Sequence, residues 1–301
     1  MIFLKEFVKC NLCGKNLPKP VFKIGGHKIV KCRNCGLMYT NPRLKKSFLH
    51  KIYTKNYYEN PEFKNHDTQN LFGYDLYVKE KEDIVNTFKR RIDIIEKYSK
   101  GRSILDMGCA TGFFLELATS KGWEGYGTEV SRFACDYAKN KIGLKNIFCG
   151  DIKEAGFKKD MFDVVTMFDV IEHLTDPKGT LEEINTLMKK DGLLVITTPN
   201  SGSLVAKILG KRWEEVRRAR EHTYFFSKKT LSCMLKKTNF EILKVESAGR
   251  YFNMESMMKR GKIYFKKTFM VLEKIINFLG IRKIKVFVNP HYKITIYARK
   301  K

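Results

Sequence analysis

The chain lacks any uninterrupted apolar run near the ~18 residues that a membrane-crossing helix needs. Ile275–Ile281, between Lys274 and Arg282, holds only seven uncharged residues. A helix of this sequence that spans a bilayer is therefore excluded. The opening Met1-Ile2-Phe3-Leu4-Lys5-Glu6 shows no basic start, apolar stretch or cleavage site of a secretory signal, so the expected address is the cytoplasm, with peripheral membrane contact left open. Internal repeats and low-complexity tracts are absent, and 43% hydrophobic with 13% aromatic residues removes the chain from the disordered class. Acidic residues are scarce, 32 against 58 Lys and Arg, and unevenly so. Net charge is +11 over residues 1–100, −3 over 101–200 and +18 over 201–301. A near-neutral middle thus lies between basic flanks, which favour anionic partners or decorate a solvated surface.

Four of the eight cysteines form two pairs, Cys10-Asn11-Leu12-Cys13-Gly14 and Cys32-Arg33-Asn34-Cys35-Gly36, with 18 residues between them. Two residues between thiolates let one tight turn aim both sulfurs at a metal, and the following Gly accepts the turn's backbone. Four thiolates with no open position describe a structural zinc site, and a cytoplasmic address disfavours disulfides as the alternative. Cys109, Cys135, Cys149 and Cys233 stand singly in apolar segments and read as core residues.

Residues 1–45 thus form a zinc ribbon, and 46–100 an aromatic-rich connector or lid with Tyr53, Tyr57 and Tyr58 near its start. Ile84, Phe88, Ile92 and Ile95 recur at helical spacing, and the helix should end near Gly101. Strands at Ser103–Met107, Gly125–Val130, Ile147–Cys149, Phe162–Phe168 and Leu193–Thr198 then alternate with helices at Phe113–Thr119, Ser131–Lys141 and about 177–190. That alternation predicts an α/β fold with a doubly wound, mostly parallel sheet. A helix at Ser227–Thr238 and strands at Glu241–Ser247 and Lys293–Ala298 close the pattern, with a basic helical insertion at about 252–290.

The most informative segment is Ile104-Leu105-Asp106-Met107-Gly108-Cys109-Ala110-Thr111-Gly112. In such sheets ligands bind beyond the carboxyl ends of the strands, where glycines admit close backbone approach. Asp106 at the strand end is unwelcoming to a pyrophosphate but suits an amino-bearing ligand. Glu129 ends the next strand, 23 residues on, where a carboxylate can accept both hydroxyls of a ribose. The glycines are not spaced as Gly-x-Gly-x-x-Gly.

This segment resembles motif I of class I S-adenosylmethionine-dependent methyltransferases. Gly150-Asp151-Ile152, Phe162-Asp163-Val164-Val165 through Phe168-Asp169-Val170-Ile171-Glu172-His173-Leu174, and Leu187–Val195 resemble the family's later motifs in order. The resemblance implies a seven-stranded Rossmann-like sheet and S-adenosylmethionine as cofactor. It implies contacts from Asp106, Gly108, Cys109, Gly112, Glu129, Val130, Asp151, Ile152 and Phe168, with Asp151 toward the adenine amino group. The ribbon followed by Cys-Gly-Leu-Met-Tyr-Thr-Asn-Pro is similar to zinc-knuckle methyltransferases of sugar or surface-polysaccharide synthesis, though this chain is shorter than those sugar C-methyltransferases.

A methyl acceptor that is oxygen or carbon must lose a proton, which His173 or His222 can take. The pattern Asp169-x-x-Glu172-His173 with His222 also resembles divalent-metal sites of methyltransferases acting in ubiquinone synthesis and on small-RNA ends. The expected acceptor is a small molecule: a sugar, nucleotide-sugar, lipid-linked glycan or quinone-like compound. Competing readings are an RNA or protein methyltransferase gripping its polymer with basic flanks, and a zinc adaptor whose fold only binds. Against a nucleic-acid partner, the knuckles lack a dense Arg/aromatic pattern. The insertion carries Phe269, Val271, Leu272, Ile275, Ile276 and Leu279 at helical spacing beside Lys262, Lys266, Lys267, Lys274, Arg282, Lys283 and Lys285. Such a stripe packs on the protein's own core, on a second subunit, or on an anionic membrane surface.

Overall fold

A computed structural model describes residues 4–48, 74–262 and 265–301. Tyr53, Tyr57 and Tyr58 of the connector lie outside the described residues. The N-terminal segment runs β1 (Lys5–Glu6), β2 (Pro18–Ile24), β3 (His27–Cys32), β4 (Met38–Thr40) and β5 (Arg43–Leu44). Helices α1 (Tyr74–Lys79) and α2 (Lys81–Tyr98) follow. On α2 the spacing of Ile84, Phe88, Ile92 and Ile95 buries one face, and these side chains pack against Ile104, Phe113, Phe114 and Val195.

The main sheet is built from β6 (Ser103–Met107), α3 (Phe113–Ser120), β7 (Glu124–Glu129), α4 (Arg132–Asn140), β8 (Ile147–Cys149), β9 (Phe162–Phe168), α5 (Pro177–Leu187) and β10 (Met188–Pro199). With β12 (Phe240–Ser247) and β15 (Lys293–Lys300), its strand order is β12-β15-β10-β9-β6-β7-β8. Neighbours from β10 to β8 are parallel, and β15 runs antiparallel to both β10 and β12. The expected seven-stranded, mostly parallel fold is therefore observed. The chain reverses direction across β6 at the sheet's middle, which places the ligand crevice at that strand's carboxyl end.

Between β10 and β12 (Phe240–Ser247) come α6 (Leu204–Leu209), α7 (Glu214–Arg217), β11 (Tyr224–Phe225) and α8 (Lys228–Lys237). The two-residue β11 leaves the main sheet and pairs with β4, giving a four-stranded ribbon sheet of order β11-β4-β3-β2. Cys10, Leu12, Cys32 and Tyr39 of the ribbon share one core cluster with Phe162, Val165 and Tyr224. Thr40 reinforces the join, its backbone N–H donating to the Thr223 carbonyl at 2.9 Å.

Two expectations change. The helix at 177–190 ends at Leu187, because Met188 already pairs with Phe162 and a bulge before Leu193 carries Asp191 at φ 62°. The insertion is flanked by strands as well as helical: β13 (Arg250–Asn253) and β14 (Lys285–Val288) pair antiparallel around α9 (Met254–Gly261) and α10 (Lys266–Phe278), before β15 (Lys293–Lys300) closes the sheet. As expected, Cys135 is a core residue and Cys149 packs against the same cluster. The first turn of α4 lies across the end of β8, which brings the two sulfurs together, with Cα atoms 5.9 Å apart.

Candidate active site

β6 delivers Asp106 and Met107 to the crevice, and the turn to α3 begins at Gly108, whose φ is 72°. A Cβ there would stand 2.5 Å from Val170 Cγ2, so the close approach of the two loops requires glycine. The amides of Gly108 and Cys109 donate to the Thr128 carbonyl at 2.7 and 3.1 Å, tying the turn to β7. Gly112 caps α3 at φ 83°, and a Cβ there would meet Leu144 at 2.5 Å. It does not line the cavity, and its small size serves packing of the helix start.

The acids differ in how they are held. Asp106 is buried and accepts a 2.6 Å hydrogen bond from Thr166 Oγ1. Burial pushes its pKa up to about 7, and the nearby Glu129 carboxyl adds to the effect against Thr166 and Arg91. Both oxygens of Glu129 are fixed by backbone donors, Ala110 N at 3.0 Å and Ser131 N at 2.8 Å, while burial raises its pKa. Asp151 caps the turn Ile152–Glu154 through Lys153 N and pairs with Lys46 at 3.0 Å. Asp106, Gly108, Cys109, Glu129, Val130, Asp151, Ile152 and Phe168 all line one cavity of about 1080 Å³. That volume reaches the upper end of pockets for a single ligand.

Arg91 was not singled out by the sequence. It lies on α2 beside the buried Phe88–Ile92 face, lines the same cavity, and sits 4.8 Å over the Phe168 ring. Its sequence signal is a second consecutive arginine at the edge of an otherwise apolar helix face.

Beyond Phe168 the cavity continues past Asp169 to Glu172 and His173, under a roof that includes Phe252, Met257, Met258 and Phe269. Asp169 has φ 58°, a left-handed backbone unusual outside glycine, and its carboxylate pairs with Lys293 at 2.8 Å. Burial alone would raise its pKa, but Lys293 holds it below the usual range. Glu172 accepts from Thr198 Oγ1 at 2.9 Å, and burial with the Asp169 charge pushes its pKa up to about 8. Burial, then Arg218, lowers His173 to about 3, and the same forces lower His222, so both rings are neutral near pH 7.

His173 lines the cavity, whereas His222 lies behind it, with Nδ1 3.5 Å from Glu215 Oε2 and Nε2 buried without a hydrogen-bond partner. Ligand atoms of Glu172, His173 and His222 lie within 4.8 Å of one another, and Asp169 is not among them. Once a metal displaces the Glu172 proton, one carboxylate and two neutral imidazoles are a donor set that can hold a divalent cation.

In the ribbon, the Sγ atoms of Cys10, Cys13, Cys32 and Cys35 all lie within 4.8 Å of one another, with Cys10–Cys35 at 3.4 Å and Cys13–Cys32 at 3.6 Å. A tetrahedral ion with Zn–S bonds of ~2.3 Å has sulfurs about 3.8 Å apart, so the cluster fits one metal. Burial raises the Cys10 thiol and pushes Cys35 up to about 11, whereas backbone and side-chain donors bring Cys13 to about 7 against burial. A bound cation would remove the cost of ionising all four.

Residues 81–245 match the family described as a methyltransferase domain, and the chain belongs to that family. Residues 81–245 are thus a methyltransferase domain. Among curated relatives, a ubiquinone biosynthesis O-methyltransferase of Coxiella burnetii is 30% identical over 105 residues, 34% of this chain and 45% of that protein. One from Pelagibacter ubique is 30% identical over 138 residues, 44% of this chain and 57% of that protein. The chain spans about half the length of the curated relatives it matches. A solved S-adenosylmethionine-dependent methyltransferase of Archaeoglobus fulgidus shares the fold at 21% identity and TM-score 0.50, covering 74% of this chain and 99% of that one. Among the described residues no helix is long and apolar enough to cross a membrane.

Proposed function

We propose that the chain methylates a hydroxyl oxygen of a small-molecule acceptor, and that its ribbon holds a structural zinc ion. The observation that carries the first reading is a single cavity joining Asp106 and Glu129 at one end to Glu172 and His173 at the other. The cofactor supplies an electrophilic methyl carbon on a sulfonium centre. Glu129, its oxygens already oriented by two amides, would hold the ribose hydroxyls, Asp106 the amino group and Arg91 the carboxylate of the methionine portion. Val130, Ile152 and Asp151 would enclose the adenine. Phe252, Met257, Met258 and Phe269 would help hold the acceptor in line with the methyl group, and such alignment supplies on the order of 7–11 kcal/mol in favourable cases.

The acceptor's proton can be handled in two ways. His173, which lines the cavity, would take it directly as the methyl–oxygen bond forms, although burial and Arg218 make its ring a weak base. The second way is favoured by the buried, unpartnered Nε2 of His222: Glu172, His173 and His222 would hold a divalent cation, which would supply polarisation of the acceptor hydroxyl. The curated relatives, named for O-methylation, support oxygen as the methylated atom.

Incubation with methyl-labelled cofactor and panels of hydroxylated aromatics, sugars, RNA and protein tests the reading, with and without chelator. Label recovered as a small-molecule methyl ether supports it. Label only on carbon, RNA or protein overturns it, and restoration of a chelator-inhibited reaction by Mg²⁺ or Mn²⁺ selects the metal-assisted route.

A further inference from the structure

Large apolar side chains at the surface are concentrated in one place. Of the fifteen that are exposed among the described residues, nine fall between Phe265 and Val286. On α10 these include Val271, Leu272, Ile275 and, at its end, Phe278 and Leu279, with Phe278 90% exposed. Only Ile276 of that helix is buried, so the stripe does not pack on the protein's own core. Two further members, Leu204 at 71% and Ile208 at 74%, lie on α6. Both helices border the cavity: Val205 and Leu209 of α6 line it, as do Phe269 and Leu272 of α10. Charge follows the same outline. Between Phe265 and Lys285 there are six basic residues against the single acid Glu273, which already pairs with Lys262. Lys266, Lys267, Lys274, Arg282 and Lys283 are exposed around the apolar face.

We propose that α6 and α10 form a rim that seats the enzyme on an anionic lipid surface, with the cavity mouth between them, and that the acceptor is an amphiphile drawn from that surface. An apolar helix face bordered by lysines gains from burial in the headgroup region and from attraction to anionic lipid together, and neither suffices alone. Val205 and Leu209 on one helix and Phe269 and Leu272 on the other would let an acceptor's apolar part pass from bilayer to pocket along apolar side chains. Docking does not depend on methyl transfer, whereas the origin of the acceptor rests on the O-methylation reading.

The test uses the full chain and vesicles of phosphatidylcholine alone or with about a third phosphatidylglycerol, with cofactor binding measured in parallel by calorimetry. Co-sedimentation with the anionic vesicles only, abolished by high salt, is expected. Lys266→Glu/Lys267→Glu should weaken it at least about fivefold per lysine, and Val271→Ser/Phe278→Ser should weaken it as well. Cofactor affinity should be unchanged in both variants, which separates a docking defect from a failed methyltransferase reading. Absence of vesicle binding at low salt overturns the proposal. So does a wild-type dimer that Val271→Ser/Phe278→Ser converts to monomer while vesicle binding is unaffected, since a second copy would then cover this face.

Discussion

His173 and His222 meet edge to face, ring centroids 4.5 Å apart and planes at 88°, although one follows β9 and the other precedes β11. The front ring faces the cavity and the rear ring does not. His173→Ala should therefore lower kcat by about 10²–10⁴ while cofactor affinity holds, the signature of lost proton handling. His222→Ala should abolish any stimulation by added Mg²⁺ or Mn²⁺. Stimulation that survives this change would show that the ion acts elsewhere.

Glu129→Ala removes a carboxylate whose two oxygens are already aimed by Ala110 and Ser131. Calorimetry should show cofactor binding weakened by ~1.5–3 kcal/mol, the range for hydrogen bonds to a charged group. Unaltered affinity would remove Glu129 from the ribose site.

Asp106 makes cofactor binding depend on pH. Burial raises its pKa to about 7 in the free protein, so a large share is uncharged near neutrality. An ammonium group on the bound ligand favours the carboxylate and draws that pKa down. Binding then releases protons, tightens as pH rises toward about 7, and levels off above it, with a limiting slope of about tenfold per pH unit on the acid side. Titrations in buffers of different ionisation enthalpy measure the proton release directly, and Asp106→Asn should flatten the curve. A flat profile in the unmodified protein would contradict the assignment.

The ribbon should carry about one zinc per chain, lost in Cys10→Ser/Cys32→Ser. Because β4 pairs with β11 and Thr40 Oγ1 donates to the His222 carbonyl at 3.0 Å, loss of the metal should lower acceptor turnover as well as thermal stability. Metal analysis that finds no zinc in the purified protein would refute the site.

Local chemistry made the cofactor half legible. Asp106 and Gly108 sit within three residues at the end of one strand, and Glu129 closes the next strand, so spacing alone brings them to one crevice. The four cysteines were equally plain, because two short turns fix each pair. Partners distant along the chain were not. Nothing near Tyr224 announces that it will lie against Tyr39, and the approach of Cys135 to Cys149 depends on how α4 crosses β8. Arg91 was hidden because a basic residue on an amphipathic helix ordinarily faces solvent. The insertion's apolar stripe was visible, but a periodic pattern does not say whether it is covered.

The pairing of β11 with β4 also sets an order of events during synthesis. The cysteine site is complete once Cys35 has emerged, but the sheet it supports waits for Tyr224 and Phe225. At roughly 5–20 residues per second that interval is about ten to forty seconds. Throughout it β4 presents an open edge, the kind of template on which nascent chains stick to one another. A newly made ribbon thus carries an uncovered edge until the strand that follows His222 closes it.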